Sequence, residues 1–324
     1  MQQIIRTSLG VSPGAKSEVE PAKAIRPESF SDYIGQSKIV NNLKVYIEAA
    51  KQRNTCIDHV LLYGPAGLGK TTLAQIIAHE MGSNLKVTSA PAIEKTGELA
   101  SILCKLEEKD VLFIDEIHRL SKVVEEFLYS AMEDGVVDIV VGQGEQSRSI
   151  RLELPEFTLV GATTRAGMLS APLRDRFGII ERLEYYSTEE LSQIIQRSSA
   201  VLGVEISKEA SLLLADCSRG TPRIANNYLK RCRDFSMVNG DGFIDEGIVL
   251  SCMESLGVSR EGFDELDRKL IQILEDAARP VGLSTLSSMM GEDVGTIENV
   301  VEPFLIYSGV LIKTPKGRML AKAS

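Results

Sequence analysis

The sequence lacks the features that export a protein, embed it in a membrane or bind it to nucleic acid by bulk charge. The N-terminal stretch MQQIIRTSLG has no long apolar core of the kind a signal peptide needs, and no apolar run approaches the length of a membrane span. The five cysteines, Cys56, Cys104, Cys217, Cys232 and Cys252, are scattered without a C-x-x-C pair, and the three histidines are equally dispersed. That spacing argues against a structural zinc site and for reduced thiols in a cytoplasmic protein. Positive charge is in deficit, with 36 Lys+Arg against 45 Asp+Glu and a net charge of −9, so any DNA contact must come from a local patch. There is no internal repeat and no low-complexity tract of any length. What is present is 324 residues, room for two or three domains with ample surface to bury.

The most informative stretch is HVLLYGPAGLGKTT, residues 59 to 72. Val60-Leu-Leu-Tyr63 is short, apolar and stopped by a glycine, which reads as a buried parallel strand. Gly64, four intervening residues including Gly67, then Gly69-Lys70-Thr71 fit G-x-x-x-x-G-K-[ST]. In such a loop the glycines let backbone N–H groups turn inward on the β- and γ-phosphates, Lys70 adds a positive charge, and the Thr71 hydroxyl is placed to ligate Mg²⁺. Thr72 to Met81 has helical periodicity, and its N-terminal dipole faces the same anion. The pattern predicts binding of a nucleoside triphosphate, with ATP and Mg²⁺ the expected cofactors.

Two carboxylates follow at the end of a second apolar strand, Val111-Leu-Phe-Ile-Asp115-Glu116. The C-terminal ends of strands are where open α/β sheets bind ligands. The pair resembles a Walker B motif: Asp115 would hold Mg²⁺ through its water shell, and Glu116 would orient and activate the attacking water. A third strand, Phe157 to Thr164, ends in two hydroxyls and Arg165, and Pro172-Leu-Arg-Asp-Arg-Phe-Gly178 lies close downstream. By themselves the threonines could satisfy local backbone groups and the arginines could be solvated. Together the segments resemble the AAA+ ATPase family, which implies that Thr164 is the sensor 1 residue and Arg176 an arginine finger inserted into the neighbouring subunit's site. Ser218-Arg-Gly-Thr-Pro-Arg223 opens a helix through Ile224 to Phe235, with Thr221 as N-cap and Pro222 at the first position. This aims Arg223 like the family's sensor 2 arginine, while Lys230, Arg231 and Arg233 read as a solvated face. Before the loop, residues 25 to 35 resemble the AAA+ segment that packs on adenine, with Ile25, Arg26, Tyr33 and Ile34 near the base.

Val136 to Val141 and Ser149 to Leu154 read as the two strands of an inserted hairpin around the turn-rich segment 142–148. The second strand alternates apolar Ile150, Leu152 and Leu154 with charged residues. Either this hairpin merely edges the sheet, or its apolar face is where a partner protein grips. Residues 266 to 324 read as a winged helix, with helices expected over Leu266–Ala278, Leu283–Met290 and Thr296–Tyr307 and a wing around Thr314-Pro-Lys-Gly317. The would-be recognition helix carries Glu298 and Glu302 and no basic residue, which argues against its insertion into the major groove. Lys313, Lys316 and Arg318 place positive charge on the wing instead, suited to gripping phosphates without reading bases.

The phrases IEKTGELA, VLFIDEIHRLSKVVEEFLYSAMED, GATTRAGM and SRGTPRIAN, with the hairpin insert, are more selective than the nucleotide motifs. They make the chain resemble the RuvB family, the ATPase motors of Holliday junction branch migration, over roughly residues 22 to 320. The resemblance implies a homohexameric ring on duplex DNA, recruited to four-way junctions by a RuvA-type protein through the hairpin at 136–154, with a RuvC-type resolvase as a further partner. It also implies nucleotide contacts by Tyr186 and the acidic pair Glu133-Asp134. Against the family pattern, Ala66 stands where a proline is frequent, and Ser130 and Gly135 replace a proline and an aromatic near the acidic pair. Val294 stands where some relatives carry a DNA-contacting arginine, so no DNA contact is carried over to it.

The expected architecture is α/β: a P-loop ATPase domain of the AAA+ type with a parallel sheet covered by helices on both faces, a helical lid and a C-terminal winged helix. The expected boundaries are a disordered tail over 1–21, the ATPase domain over 22–184, the lid over 185–256 and the winged-helix domain over 257–324. The function expected is ATP-driven branch migration in recombination and repair. Two alternatives share many of the motifs: a clamp-loader-like or initiator-like ATP switch, and a DNA-binding regulator with a relic nucleotide site. The complete Asp115-Glu116 pair and the hairpin favour a motor over the first, and intact Lys70, Glu116 and Arg176 weigh against the second.

Overall fold

The computed structural model describes residues 25–141 and 148–321. The expected tail at 1–21 and most of the expected hairpin turn lie outside these residues. Helix α1 (Ser37–Arg53) buries Ile39, Leu43, Ile47 and Ala50, a stripe at helical spacing, and ends at Asn54 in the left-handed region. Then follow β1 (Val60–Tyr63), α2 (Lys70–Met81), β2 (Leu85–Ser89), α3 (Thr96–Leu103), β3 (Val111–Asp115) and α4 (Lys122–Glu133). The hairpin β4 (Val136–Val141) and β5 (Arg148–Glu153), β6 (Thr158–Thr163), the short α5 (Ala171–Arg174) and β7 (Ile179–Arg182) complete the large domain.

Five strands form one parallel sheet in the order β2-β3-β6-β1-β7. Its central strands are apolar through their length because helices cover both faces: Val60, Leu61 and Leu62 of β1 and all of β6 are buried. This order has a direct consequence for chemistry. β6 lies between β1, which leads into the phosphate-type loop, and β3, which ends in the acidic pair, so three functional strand ends emerge side by side. At Gly161 of β6 a Cβ would come 3.0 Å from Phe177 Cζ and 3.1 Å from Ile117 Cδ1, so a side chain there would push the helical layer off the sheet.

Four lid helices follow, α6 (Thr188–Leu202), α7 (Lys208–Asp216), α8 (Pro222–Asn239) and α9 (Glu246–Ser255). A capping box starts α6: Glu190 N donates to Ser187 Oγ at 3.2 Å, and Ser187 N to Glu190 Oε2 at 3.0 Å. Helix α8 begins at Pro222 as expected but runs past Phe235 to Asn239, where Gly240 is the first residue that ends it. One apolar core continues from the sheet face under α1 and α2 into the lid.

The winged-helix fold comprises α10 (Glu265–Ala277), α11 (Leu283–Met290), α12 (residues 294–307) and the antiparallel wing β8 (Leu311–Thr314) and β9 (Gly317–Leu320). In place of the single regular helix expected from Thr296, α12 starts at Val294, passes through a π-helical stretch at Ile297–Val301 and resumes as α-helix over Glu302–Tyr307. Pro303 supplies the reason: it has no N–H for the carbonyl one turn back, so the ladder widens around it.

Arg219 fastens this fold to the lid. In the left-handed conformation (φ 54°), its Nε donates to Gly262 O at 2.8 Å, its guanidinium pairs with Asp264 at 3.1 Å and with Asp267, and it lies 4.7 Å from the Phe304 ring centroid. Tyr185, in the connection from β7 to α6, stacks on Tyr307 with centroids 4.1 Å apart. No helix among the described residues is long and apolar enough to cross a membrane.

Candidate functional site

A cavity of about 340 Å³ opens at the C-terminal ends of β1, β3 and β6 and is closed on one side by the lid. That volume is within the ~300–1,000 Å³ common to small-molecule sites. Ala66, Gly67, Gly69, Lys70, Thr71 and Thr72 form its floor. Gly67 (φ 83°) and Gly69 (φ 98°) take left-handed conformations that turn successive N–H groups inward, and a Cβ on Gly69 would come 3.1 Å from Tyr33 Oη. The Lys70 ammonium donates to Gly64 O and Pro65 O, both at 2.9 Å, so the loop is closed on its own lysine. Burial pushes the Lys70 pKa down and Arg223 adds to this, while Glu116 and Asp115 oppose it. Gly64 does not line the cavity. It sits behind the loop, where a Cβ would come 2.4 Å from Leu183 O, so its glycine serves the close approach of loop and β7 end.

Asp115, Glu116 and Thr164 form the opposite wall. Glu116 is held in the left-handed region (φ 49°), which turns its carboxylate toward the end of β6. There Glu116 Oε2 accepts from Thr164 Oγ1 at 3.2 Å and Thr164 N at 3.4 Å, and His118 Nδ1 lies 3.2 Å from it. His118 Nδ1 is also 2.9 Å from Thr163 Oγ1. Burial holds the His118 pKa below its usual value against the pull of Glu116, so the ring is neutral near pH 7.

The lid side is built by α8. Arg223 N bonds Gly67 O at 3.4 Å, and Pro222, Arg223, Asn226, Asn227 and Lys230 all face the cavity. This corrects the expectation for Lys230, which lies on the cavity side one turn beyond Asn226. Arg231 and Arg233 pair with Asp234 at 3.1 and 3.3 Å. Ile25, Arg26, Pro27, Tyr33 and Ile34 form the apolar end, fastened by Arg197 of α6, which donates to Asp32 O at 2.9 Å and to Ile25 O. Tyr186 joins this wall: its hydroxyl contacts Tyr33 Oη at 2.8 Å and Leu68 O at 3.2 Å, and burial pushes its pKa up to about 12.

The cavity thus suits a nucleoside triphosphate, with an apolar end for a base and an N–H cradle with Lys70 and Arg223 for phosphates. Thr71 and Asp115 offer two oxygen donors. Among the described residues no group of three His, Cys, Asp or Glu could hold a metal by itself. Two protein oxygens with phosphate oxygens and water completing the shell is the pattern that suits Mg²⁺.

Besides Gly64, three expected nucleotide contacts do not line this chain's cavity. Glu133, Asp134 and Arg176 lie elsewhere, with Arg176 Nη1 donating to Pro172 O at 2.8 Å and Nη2 to Glu133 Oε2 at 2.6 Å. On the hairpin, Val137 pairs with Leu152 and Ile139 with Ile150. Leu152 and Leu154 pack against the core under the sheet, leaving Ile150, 44% exposed, as the member that projects.

The wing departs from expectation. Lys313 Nζ lies 2.5 Å from Glu302 Oε2, and Arg318 donates to Glu302 Oε1 at 2.6 Å and lies 3.4 Å from Glu298 Oε1. Glu302 is fully buried beneath them. The acidic helix face and the basic wing therefore neutralise each other, and Lys316 at the turn, exposed, has no ion pair among the described residues.

Sequence reading gave no role to His118, Arg165, Arg197, Arg219 or Asn226. His118 carried a local signal, standing two residues after the acidic pair, and Asn226 shares the cavity face of α8 with Arg223; Arg165, Arg197 and Arg219 act through contacts distant in sequence.

Family models match nearly the whole described chain. Residues 25–183 match "Holliday junction DNA helicase RuvB P-loop domain", residues 186–259 "RuvB AAA lid domain" and residues 260–324 "RuvB C-terminal winged helix domain". The chain is 56% identical to the Holliday junction branch migration complex subunit RuvB of Campylobacter hominis, over 96% of this chain and 92% of that protein. It is 52% identical to the Clostridium kluyveri protein of the same name, over 100% of this chain and 92% of that one. Among solved structures it is similar to the Thermotoga maritima RuvB Holliday junction branch migration motor, with TM-score 0.83, 47% identity, and coverage of 92% of this chain and 96% of that chain.

Proposed function

This chain belongs to the RuvB family, and on that premise we propose how its residues turn ATP hydrolysis into movement of DNA. It is an ATPase, the ATP-dependent motor that drives branch migration of Holliday junctions. The residue-level reading is carried by one observation: Glu116 and Thr164, hydrogen-bonded at 3.2 Å, face the same cavity as Lys70.

In this reading ATP binds with its base between Ile25, Arg26 and Tyr186 and its phosphates over Gly67 to Thr72. Lys70 exchanges its two loop carbonyls for phosphate oxygens. Thr71 and Asp115 would hold Mg²⁺, which would supply charge neutralisation to the phosphates. Glu116 orients the attacking water and takes its proton, Thr164 senses the γ-phosphate from the neighbouring strand end, and Arg223 brings the lid onto it. Arg176, with Glu133 and Asp134, faces the nucleotide of the next subunit in a homohexameric ring, a role supported by their absence from the lining of their own chain's cavity. Ile150 at the projecting part of the hairpin docks a RuvA-type partner, a RuvC-type resolvase joins the same junction, and the assembly works in the cytoplasm. On the wing, Lys316 makes sequence-independent phosphate contacts, while Lys313 and Arg318 reach DNA from their seat on Glu302.

Migration of a synthetic four-way junction, with and without a RuvA-type protein, tests the reading. Wild type should resolve the junction into migrated products only with ATP and Mg²⁺, and Lys70→Ala should not. Hydrolysis by Glu116→Gln at the parental rate would show that the base is assigned wrongly.

A further inference from the structure

A continuous set of polar contacts leads from Glu116 out of the ATPase domain. Glu116 Oε2 meets His118 Nδ1, and His118 Nδ1 meets Thr163 Oγ1. Thr163, fully buried at the end of β6, accepts the backbone N–H of Arg165 at 2.9 Å. The Arg165 side chain then crosses to the winged-helix fold, where its Nη2 donates to Asn299 Oδ1. Asn299 Nδ2 donates to Gly295 O at 2.7 Å, which fixes the amide with its oxygen toward the arginine. Asn299 lies within the π-helical stretch of α12, the part of that helix whose ladder is already widened. Among the described residues, Arg165 to Asn299 is the one hydrogen bond or ion pair between residues 25–184 and the winged-helix fold.

We propose that Arg165 is a positioning residue for ATP hydrolysis, carrying the placement of the winged-helix domain, through Asn299, to the Thr163–His118–Glu116 cluster. The proposal rests on Glu116 being the group that activates water. Its physical basis is that Arg165 is bonded at both ends, by its backbone to the end of β6 beside Thr164, the hydrogen-bond partner of Glu116, and by its side chain to the winged-helix fold. When DNA holds that domain, the guanidinium is held too, and the Thr163–Thr164 turn with it. A general base is sensitive to displacements well under 1 Å, since ~1 Å of misplacement costs about 10²-fold. A small shift of the turn therefore changes turnover without changing nucleotide affinity.

Kinetics of the full chain test this. ATPase kcat and KM are measured with and without duplex DNA for wild type, Asn299→Ala, Asn299→Asp, Arg165→Ala and the double variant, together with DNA affinity and thermal midpoint. Asn299→Ala should keep the basal kcat, KM for ATP, DNA affinity and midpoint, and lose at least ~5-fold of the DNA stimulation of kcat, the lower end of ordinary coupling between sites. Asn299→Asp keeps the acceptor and should keep the stimulation. The double variant should be no worse than Arg165→Ala, because both remove one interaction. Full stimulation in Asn299→Ala, losses that multiply in the double variant, or no stimulation in wild type overturns the proposal. A Glu116→Gln control separates the two levels: if it hydrolyses ATP normally, the reading of Glu116 has failed while the Arg165–Asn299 contact is intact.

Discussion

Arg176 donates to Glu133 at 2.6 Å within the same chain, with its guanidinium 4.5 Å from the Tyr129 ring centroid. The aromatic face and the carboxylate together hold a planar cation in one orientation on a surface that is not its own nucleotide cavity. If that surface meets the next subunit's site, Arg176→Ala and Lys70→Ala chains, each inactive alone, should regain hydrolysis when mixed, at interfaces that combine an intact loop with an intact finger. Such fingers are worth roughly 10³–10⁵ in rate, so partial rescue is measurable against either parent. Verified mixed rings with no rescue would assign Arg176 to its own chain.

The Glu116 cluster predicts a clean separation of binding from turnover. Glu116→Gln keeps the shape and the Thr164 contact but cannot take a proton. Nucleotide affinity by fluorescence titration should match wild type, while kcat falls by ~10²–10⁴, the usual range for a general base. A comparable loss of affinity would mean the carboxylate holds the metal or the phosphates instead.

On the hairpin, two substitutions of the same kind should behave oppositely. Ile150→Asp changes an exposed side chain and should abolish binding of a RuvA-type partner while leaving ATPase and thermal midpoint alone. Leu152→Asp places a carboxylate against the core under the sheet and should lower stability by several kcal/mol, on the order of 2–5. If Ile150→Asp also unfolds the domain, the hairpin is structural and the docking reading is wrong.

The wing predictions follow from the ion pairs. Lys316→Ala should shallow the log–log salt dependence of duplex binding by roughly 0.9 per subunit bound, on unrelated sequences alike. Arg318→Ala should act differently, because it leaves fully buried Glu302 with fewer partners. Removing one side of a buried ion pair costs up to about 3–5 kcal/mol, less here because Lys313 stays on Glu302, so the winged-helix fold should melt earlier in calorimetry. Arg318→Ala combined with Glu302→Gln should recover much of that stability. An unchanged salt slope for Lys316→Ala would move the DNA contact off the turn.

A pH effect on stability comes from His59. Leu159 N donates to its Nδ1 at 2.9 Å and its Nε2 lies 3.2 Å from Met132 O, an arrangement that only the neutral ring satisfies. Burial lowers its pKa below the ordinary 6.5, as it does for His118. The unfolded chain therefore takes up more protons, and stability present above about pH 6.5 is lost as pH falls below it, at no more than ~1.4 kcal/mol per pH unit for each group. Urea titrations at pH 7.5 and 5.5 should show the loss, and His59→Gln should remove part of the slope. An identical slope in the variant would place the effect elsewhere.

The site's placement was legible in the sequence wherever residue type and chain order coincide. A glycine loop must sit between its strand and its helix, and an acidic pair must end an apolar strand, so Lys70, Thr71, Asp115 and Glu116 could be named from spacing. Contacts made across the fold were not legible. Lys230 reads as one of three exposed cations on a helix, and only the docking of the α8 N-terminus on Gly67 turns it toward the cavity. Lys313 and Arg318 read as free because their partner, Glu302, belongs to a different face until the wing folds back on α12. The hairpin's alternation correctly defined a face, but not how far the core climbs it: Leu152 and Leu154 are covered and Ile150 is not. Pro303 was visible as a residue, while the π-helical stretch it accompanies was not, because helical periodicity averages over one extra residue.

The fastening at Arg219 sets how motion can be geared. Lid and winged helix are joined there by two carboxylates, a carbonyl and an aromatic face. Between the large domain and the lid the backbone passes through the short connection at 183–187. With the Arg219 joint braced in this way, any rotation of the lid about that connection would carry the winged helix with it as a single lever arm. A few degrees of turn where Arg223 faces the cavity would then become a displacement at the wing that grows in proportion to its distance from that connection. Arg219 decides whether the stroke arrives whole or is absorbed on the way.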